Sequence, residues 1–149
     1  MIKVALLLYE GFYLSSLSGP LDAFQIANSH SKALRYSEQA LFDCKLVSLG
    51  NEAVATSSGL KIAPDATIED AGEFDFIYIP AFYYRGKPAL EALFGSIRPL
   101  LSWLVAKWKN GAVLSSSCTG TFVLAETGLL NGRKATTTWW LERLFRERY

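Results

Sequence analysis

AVLSSSCTG, residues 112–120, is the stretch on which the fold turns. Ala112 to Ser116 reads as a short strand, and a helix begins at about Gly120 with almost nothing between them. So sharp a strand-to-helix turn lifts the side chain at its apex, Cys118, above the carboxyl ends of the strands. Ligands of open α/β sheets bind in that place. The start of the following helix offers free N–H groups and a partial positive charge, which favour a thiolate or a bound anion. Gly120 lets that helix approach closely, and Gly128 suits a left-handed cap at its end near Thr127. Cys118 is therefore a candidate nucleophile or redox thiol. Its competing reading is a small buried hydrophobe, the reading given to Cys44 inside its strand.

Outward from this turn, strands and helices alternate. Ile2 to Tyr9 (IKVALLLY) is nearly all apolar and suits a strand buried on both faces. Gly19-Pro20 opens a helix, with Ser18 or Gly19 as cap and Leu17, Leu21, Phe24 and Ala27 at helical spacing. Phe42 to Leu49 is a second strand, Val54 to Ile62 holds short strand pieces, and Asp75 to Ile79 is another buried strand. An aromatic loop, Ala81 to Lys87, follows. Ile97, Leu100, Leu101, Leu104, Val105 and Trp108 form the stripe of an amphipathic helix, with Ser96 as its cap and Asn110-Gly111 at its end. Leu141, Leu144 and Phe145 mark a last helix. Trp103 lies off its helix's stripe and reads either as an exposed partner surface or, equally, as a structural residue. The pattern implies one α/β domain over residues 1–149, an open and mainly parallel sheet with helices on both faces.

Composition narrows the function classes. The 149 residues are 50% hydrophobic and 19% charged, enough for a packed core. The net charge is +1, which disfavours a compact, strongly basic DNA-binding module. Residues 1–70 carry a net −3 and residues 71–149 a net +4. The excess ends in Arg133, Lys134, Arg143, Arg146 and Arg148, read first as a solvated helix face and otherwise as a surface next to something acidic. One His, His30, and two Cys give no metal-ligand set, and no cofactor is expected. The Cys usage fits a reducing cytoplasm. No apolar run approaches the roughly 18 residues of a membrane span, and no signal peptide is read.

Three segments carry a resemblance: GFYLSSLSGPLDAFQIAN (11–28), SSGLKIAPD (57–65) and SSSCTGTFVLAETGLLNGRKATTTWW (115–140). Together they resemble the DJ-1/PfpI superfamily, also called class I glutamine amidotransferase-like, with its flavodoxin-like sheet. Within it they are most similar to the N-terminal sensor domain of AraC-type (GlxA-like) transcriptional regulators. The resemblance implies a homodimer and a domain that continues past Tyr149 with a further strand and helices. It also implies that DNA binding belongs to a helix-turn-helix domain outside these residues.

Enzymes of the superfamily place an acidic residue beside the Cys, and spacing from Gly11 puts Ser16 there. Many relatives carry His before the Trp of the ATTxW segment, where this chain has Thr138 and then Trp139. The Gly-Gly pair after the middle strand, which would serve an oxyanion hole, reads Ala81-Phe82. These departures point away from catalysis and toward a small-molecule pocket walled by Phe12, Ser16, Phe82, Arg85, Cys118, Thr119, Thr138 and Trp139, with Arg85 able to pair with a carboxylate. The expected function is ligand sensing and dimerisation in an AraC-type regulator. The alternatives are a cysteine enzyme (amidase, hydratase or glyoxalase-like) and a Cys118 redox sensor.

Overall fold

The computed structural model describes every residue except Ser37. Among the described residues there are seven strands: β1 (Ile2–Leu7), β2 (Phe42–Ser48), β3 (Val54–Ala55), β4 (Lys61–Ile62), β5 (Ala66–Thr67), β6 (Phe76–Ile79) and β7 (Val113–Ser116). Five helices accompany them: α1 (Leu14–Ala33), α2 (Lys87–Ser96), α3 (Arg98–Lys109), α4 (Gly120–Glu126) and α5 (Glu142–Arg148), the last entered through a 3-10 turn at Trp139–Leu141. The main sheet has the order β5-β2-β1-β6-β7, and every pairing in it is parallel. β3 and β4 form a small antiparallel hairpin.

β1 is central, and its side chains alternate between two cores, as strand geometry dictates. Val4, Leu6 and Leu8 pack on one face with Phe12 and with Leu17 of α1. Ala5, Leu7 and Tyr9 pack on the other with Ile77, Ile79, Leu90, Phe94, Leu100, Leu104 and Phe122. Helices thus cover both faces, as the near-continuous apolar pattern of IKVALLLY requires. Leu100 and Leu104 are fully buried, each contributing about 1.5–3 kcal/mol. Asn28 ties α1 to the start of β2: its amide donates to the Phe42 carbonyl at 2.8 Å and accepts from the Leu41 and Phe42 N–H groups.

Local sequence signals mislead at four places. α1 begins at Leu14, not at Gly19-Pro20. Tyr13 is its extended N-cap, and the N–H groups of Ser16 and Leu17 already bond the Tyr13 carbonyl. Pro20 lies inside the helix, so the turn chemistry of Gly-Pro is overridden by packing of Leu17 on β1. Lys87–Ser96, to which the sequence pattern assigns no element, is α2; Gly86 at φ 100° and Pro88 start it without a side-chain cap. Ser96 therefore ends α2 instead of capping α3, and its hydroxyl donates to the Leu93 carbonyl at 2.8 Å. The two tryptophans of α3 also exchange roles. Trp103 is half-buried, edge-on to Phe74 at 6.2 Å, whereas Trp108 of the supposed apolar stripe is 41% exposed.

The sheet order sets the site. From β1 the chain runs to β2 on one side, while β6 and β7 lie on the other, so the order reverses at β1. Loops after β1 and β6 meet at that switch point. The β6–β7 register pairs Ile79 with Ser116, so the two strands end side by side and Pro80–Phe82 runs beside Ser117–Thr119.

Candidate functional site

The turn after β7 is held from both ends. The Ser117 N–H donates to the Ile79 carbonyl at 3.3 Å, and the Gly120 N–H to the Ser117 carbonyl at 2.8 Å. Cys118 at the apex has φ 50°, a left-handed conformation that an L-residue adopts at a cost of about 1–2 kcal/mol. Its side chain is exposed, as an elbow residue should be, and Cys44 is half-buried. Burial, and then the charge of Asp43, push the Cys44 thiol above its ordinary range.

Gly120 is required here. A Cβ built on it would lie 2.6 Å from both the Ile79 and the Pro80 carbonyl oxygens. Next to it, buried Thr119 clamps the loop after β6. Its hydroxyl accepts from the Phe82 N–H at 2.7 Å and donates to the Phe82 carbonyl at 2.8 Å. Phe12, fully buried, bridges Thr56 on one side and Phe82 on the other. Tyr13 donates its N–H to the Ala81 carbonyl at 2.8 Å.

Ser16 sits in a cluster of hydroxyls. Its Oγ accepts from the Ala81 N–H at 2.7 Å and lies 2.9 Å from Ser117 Oγ and 3.4 Å from the Tyr78 hydroxyl. Tyr78 donates to Ser117 Oγ at 2.7 Å. One arrangement uses all three protons: Tyr78 to Ser117, Ser117 to Ser16, Ser16 to Tyr78. Such a ring contains no carboxylate or imidazole and is a poor proton acceptor near neutral pH. Ser16, Ser117 and Tyr78 are thus neutral groups bonded to each other.

The other expected residues divide among separate places. Thr137 donates to the Cys118 carbonyl at 3.1 Å, which brings its segment to the elbow. Thr138 is buried, and its hydroxyl has no partner among the described residues. Trp139 is 80% exposed, edge-on to Trp140 at 5.6 Å, and lines a cavity of about 880 Å3 with Arg133 and Arg146. Phe82 and Arg85 line a different cavity, of about 300 Å3, between the β6 loop and α2. Ser16, Phe82, Cys118 and Thr119 therefore form one connected cluster, with Phe12 beneath it, while Arg85 and Trp139 face elsewhere.

Two residues of the cluster do not stand out in the sequence, Ser117 and Tyr78. Ser117 adjoins Cys118 and Tyr78 is the polar residue of an apolar strand, so both carry a weak signal. Burial, then the neighbouring Tyr83 and Cys118, raise the Tyr13 phenol above its ordinary pKa.

Three of the five basic residues named in the C-terminal stretch have carboxylate partners. Arg143 pairs with Glu147, Arg146 with Glu142, and Arg148 with Glu91 and Glu126. Arg133 lies over the Trp108 ring at 5.8 Å. Arg143, Arg146 and Arg148 are thus paired on α5, while Arg133 lies in the segment before it. Among the described residues no group of three or more His, Cys, Asp or Glu is placed to hold a metal ion, and no single helix is long and apolar enough to cross a membrane.

Residues 2–147 match the DJ-1/PfpI family. An uncharacterized protein of the cpoL 5' region in Streptomyces lividans is 30% identical over 138 residues, covering 92% of this chain and 87% of that one. The HTH-type transcriptional regulator CdhR of Pseudomonas aeruginosa is 28% identical over 144 residues, which is 96% of this chain but 38% of the regulator. Among solved structures, a Vibrio parahaemolyticus protein assigned to transcriptional regulation superposes with a TM-score of 0.77 at 22% identity, over 99% of this chain and 72% of that one. At that identity the likeness speaks for the fold.

Proposed function

Because the chain belongs to the DJ-1/PfpI family, we propose that it acts as the ligand-sensing and dimerising domain of an AraC-type transcriptional regulator. One observation carries this reading. The elbow keeps its exposed Cys118, while Ser117, next to it in the chain, joins Ser16 and Tyr78 in a neutral hydroxyl ring. A cysteine is activated by a base, by a charged partner or by a helix N-terminus, and the ring supplies neither of the first two. What remains is a hydrogen-bonded surface suited to recognition. The similarity to CdhR over 38% of that regulator supports a role as one part of a larger protein. DNA binding would then belong to a separate helix-turn-helix domain.

The edge strand β7 fits the same reading. Val113 is 59% exposed, and it borders a groove of about 480 Å3 with Trp108, Leu124 and Leu130. An open parallel edge with apolar walls is a place for a further strand and its helix. In solution we expect association or partial aggregation of the isolated 149 residues.

The test begins with the intact mass of the polypeptide from its native source, against 16.5 kDa for this chain. A much larger mass, with operator binding that responds to small molecules, supports the regulator. Turnover of an amide, an isonitrile or a 2-oxoaldehyde that is lost in Cys118→Ala would overturn it in favour of an enzyme.

A further inference from the structure

Phe82 stands between two sites. Its backbone clamps Thr119 and the elbow, while the same residue lines the cavity of about 300 Å3, a wall to which Cys118 does not contribute. That volume lies at the small end of ligand-sized cavities. Phe82 and Tyr84 supply aromatic surface, and Leu90 and Leu93 of α2 supply aliphatic surface. Two charged residues also line it, Glu10 and Arg85. Among the described residues neither enters an ion pair. The Arg85 guanidinium lies 5.4 Å from the Tyr83 ring centre, which leaves its forked donors without a carboxylate. The walls are held in place. The Tyr83 N–H donates to the Gly11 carbonyl at 3.0 Å, and Phe12 bridges Phe82.

We propose that this cavity binds a small carboxylic acid with a ring-sized apolar body and a hydroxyl group. The carboxylate sits on Arg85, which offers two parallel N–H donors matched to it. The body packs among Phe82, Tyr84, Leu90 and Leu93. The hydroxyl donates to Glu10, which would otherwise repel an acid lacking such a donor. The inference deepens the sensing role and rests on it for any regulatory consequence. A ligand that shifts Phe82 displaces both hydrogen bonds to Thr119, and so reports on the elbow without touching Cys118.

The probe is 4-hydroxyphenylacetate, titrated into the protein and followed by calorimetry and amide chemical shifts. Saturable binding is expected, with phenylacetate several-fold weaker. Arg85→Gln should weaken the probe several-fold, the loss of a bidentate charge-assisted contact at a solvent-exposed side chain. Ala92→Trp, an exposed position on the cavity wall, should abolish binding by filling the space. No saturable binding at millimolar probe, or undiminished binding by Arg85→Gln, overturns the proposal. So does loss of binding in Cys118→Ala with binding kept in Arg85→Gln, which would move the acid to the elbow and leave the sensing role standing. The sensing role fails by a different observation, Cys118-dependent turnover, whatever the cavity binds.

Discussion

Gly120→Ala tests the geometry on which the elbow depends. The added methyl would lie 2.6 Å from two backbone oxygens, those of Ile79 and Pro80. That is roughly 0.7 Å inside ordinary carbon–oxygen contact distances. Neither oxygen is on a flexible side chain, so α4 and the β6 loop must separate. Overpacking of this kind costs about 1–3 kcal/mol. The separation also stretches the two bonds between Thr119 and Phe82, worth about 1 kcal/mol together once half of each is lost. Against this, Ala gains at most about 1 kcal/mol over Gly in a helix, and less at a first helical position. The net expectation is a loss of about 2–3 kcal/mol, or a fall in Tm of about 4–12 °C. Gly19→Ala is the control: it lies inside α1 with nothing within 4 Å of the new Cβ, and it should be neutral or stabilising by about 0.5–1 kcal/mol. Urea unfolding followed by circular dichroism reads both. A Gly120→Ala protein as stable as its parent would falsify the close approach of α4 to Ile79 and Pro80.

Three further outcomes follow from the site and its supports. Ser16→Ala leaves the Ala81 N–H without its acceptor and should cost about 1–2 kcal/mol; a double-mutant cycle with Tyr78→Phe should show coupling of about 0.5 kcal/mol or more if the ring exists, and additivity would count against it. Cys118 should react rapidly with an aromatic disulfide in the folded protein and Cys44 slowly, since only Cys118 is exposed; equal rates would contradict the elbow conformation. Burial pushes the Glu126 carboxyl up, but hydrogen bonds from Arg148 and Tyr149 and the Arg148 charge outweigh it, so its pKa is lowered on folding. Its contribution to stability is therefore present at neutral pH and is lost as pH falls through the lowered value. The gap in urea midpoint between the parent and Glu126→Gln should be open at pH 7 and close below about pH 4, and a gap unchanged with pH would deny the Arg148 pairing.

The parts of the fold legible in the sequence are those written locally. β1 is a run of apolar residues, and β7 followed by Ser-Cys-Thr-Gly marks strand, turn and helix within nine positions. The elbow is therefore visible in the residues alone. The start of α1 is not, because Gly19-Pro20 carries a strong helix-start signal and Leu14 carries none. Packing of Leu17 on β1, with the bridge of Phe12 to Thr56 and Phe82 just before it, accounts for the earlier start. α2 escapes sequence reading because its cap is a glycine at φ 100° without a side-chain bond, and its ten residues span too few turns for the Leu90–Phe94 spacing to stand out.

The site shows the same division more sharply. Spacing alone places Ser16, but its meaning depends on Ser117, 101 positions away, and on Tyr78, 62 away. No local pattern encodes a hydrogen bond over that distance; the sheet order does, by ending β6 and β7 beside the loop after β1. The same topology explains why the expected single pocket divides. Thr119 fastens Phe82 inward, so the residues after it, Tyr83 to Arg85, are turned outward toward α2. Arg85 follows from Phe82 by only three residues, yet the clamp places it on the far side of the wall from Cys118. Replacement of Thr119 by Val, which keeps the volume and removes both bonds, should therefore loosen the elbow and the cavity together, while any account with independent sites predicts that only one of them changes.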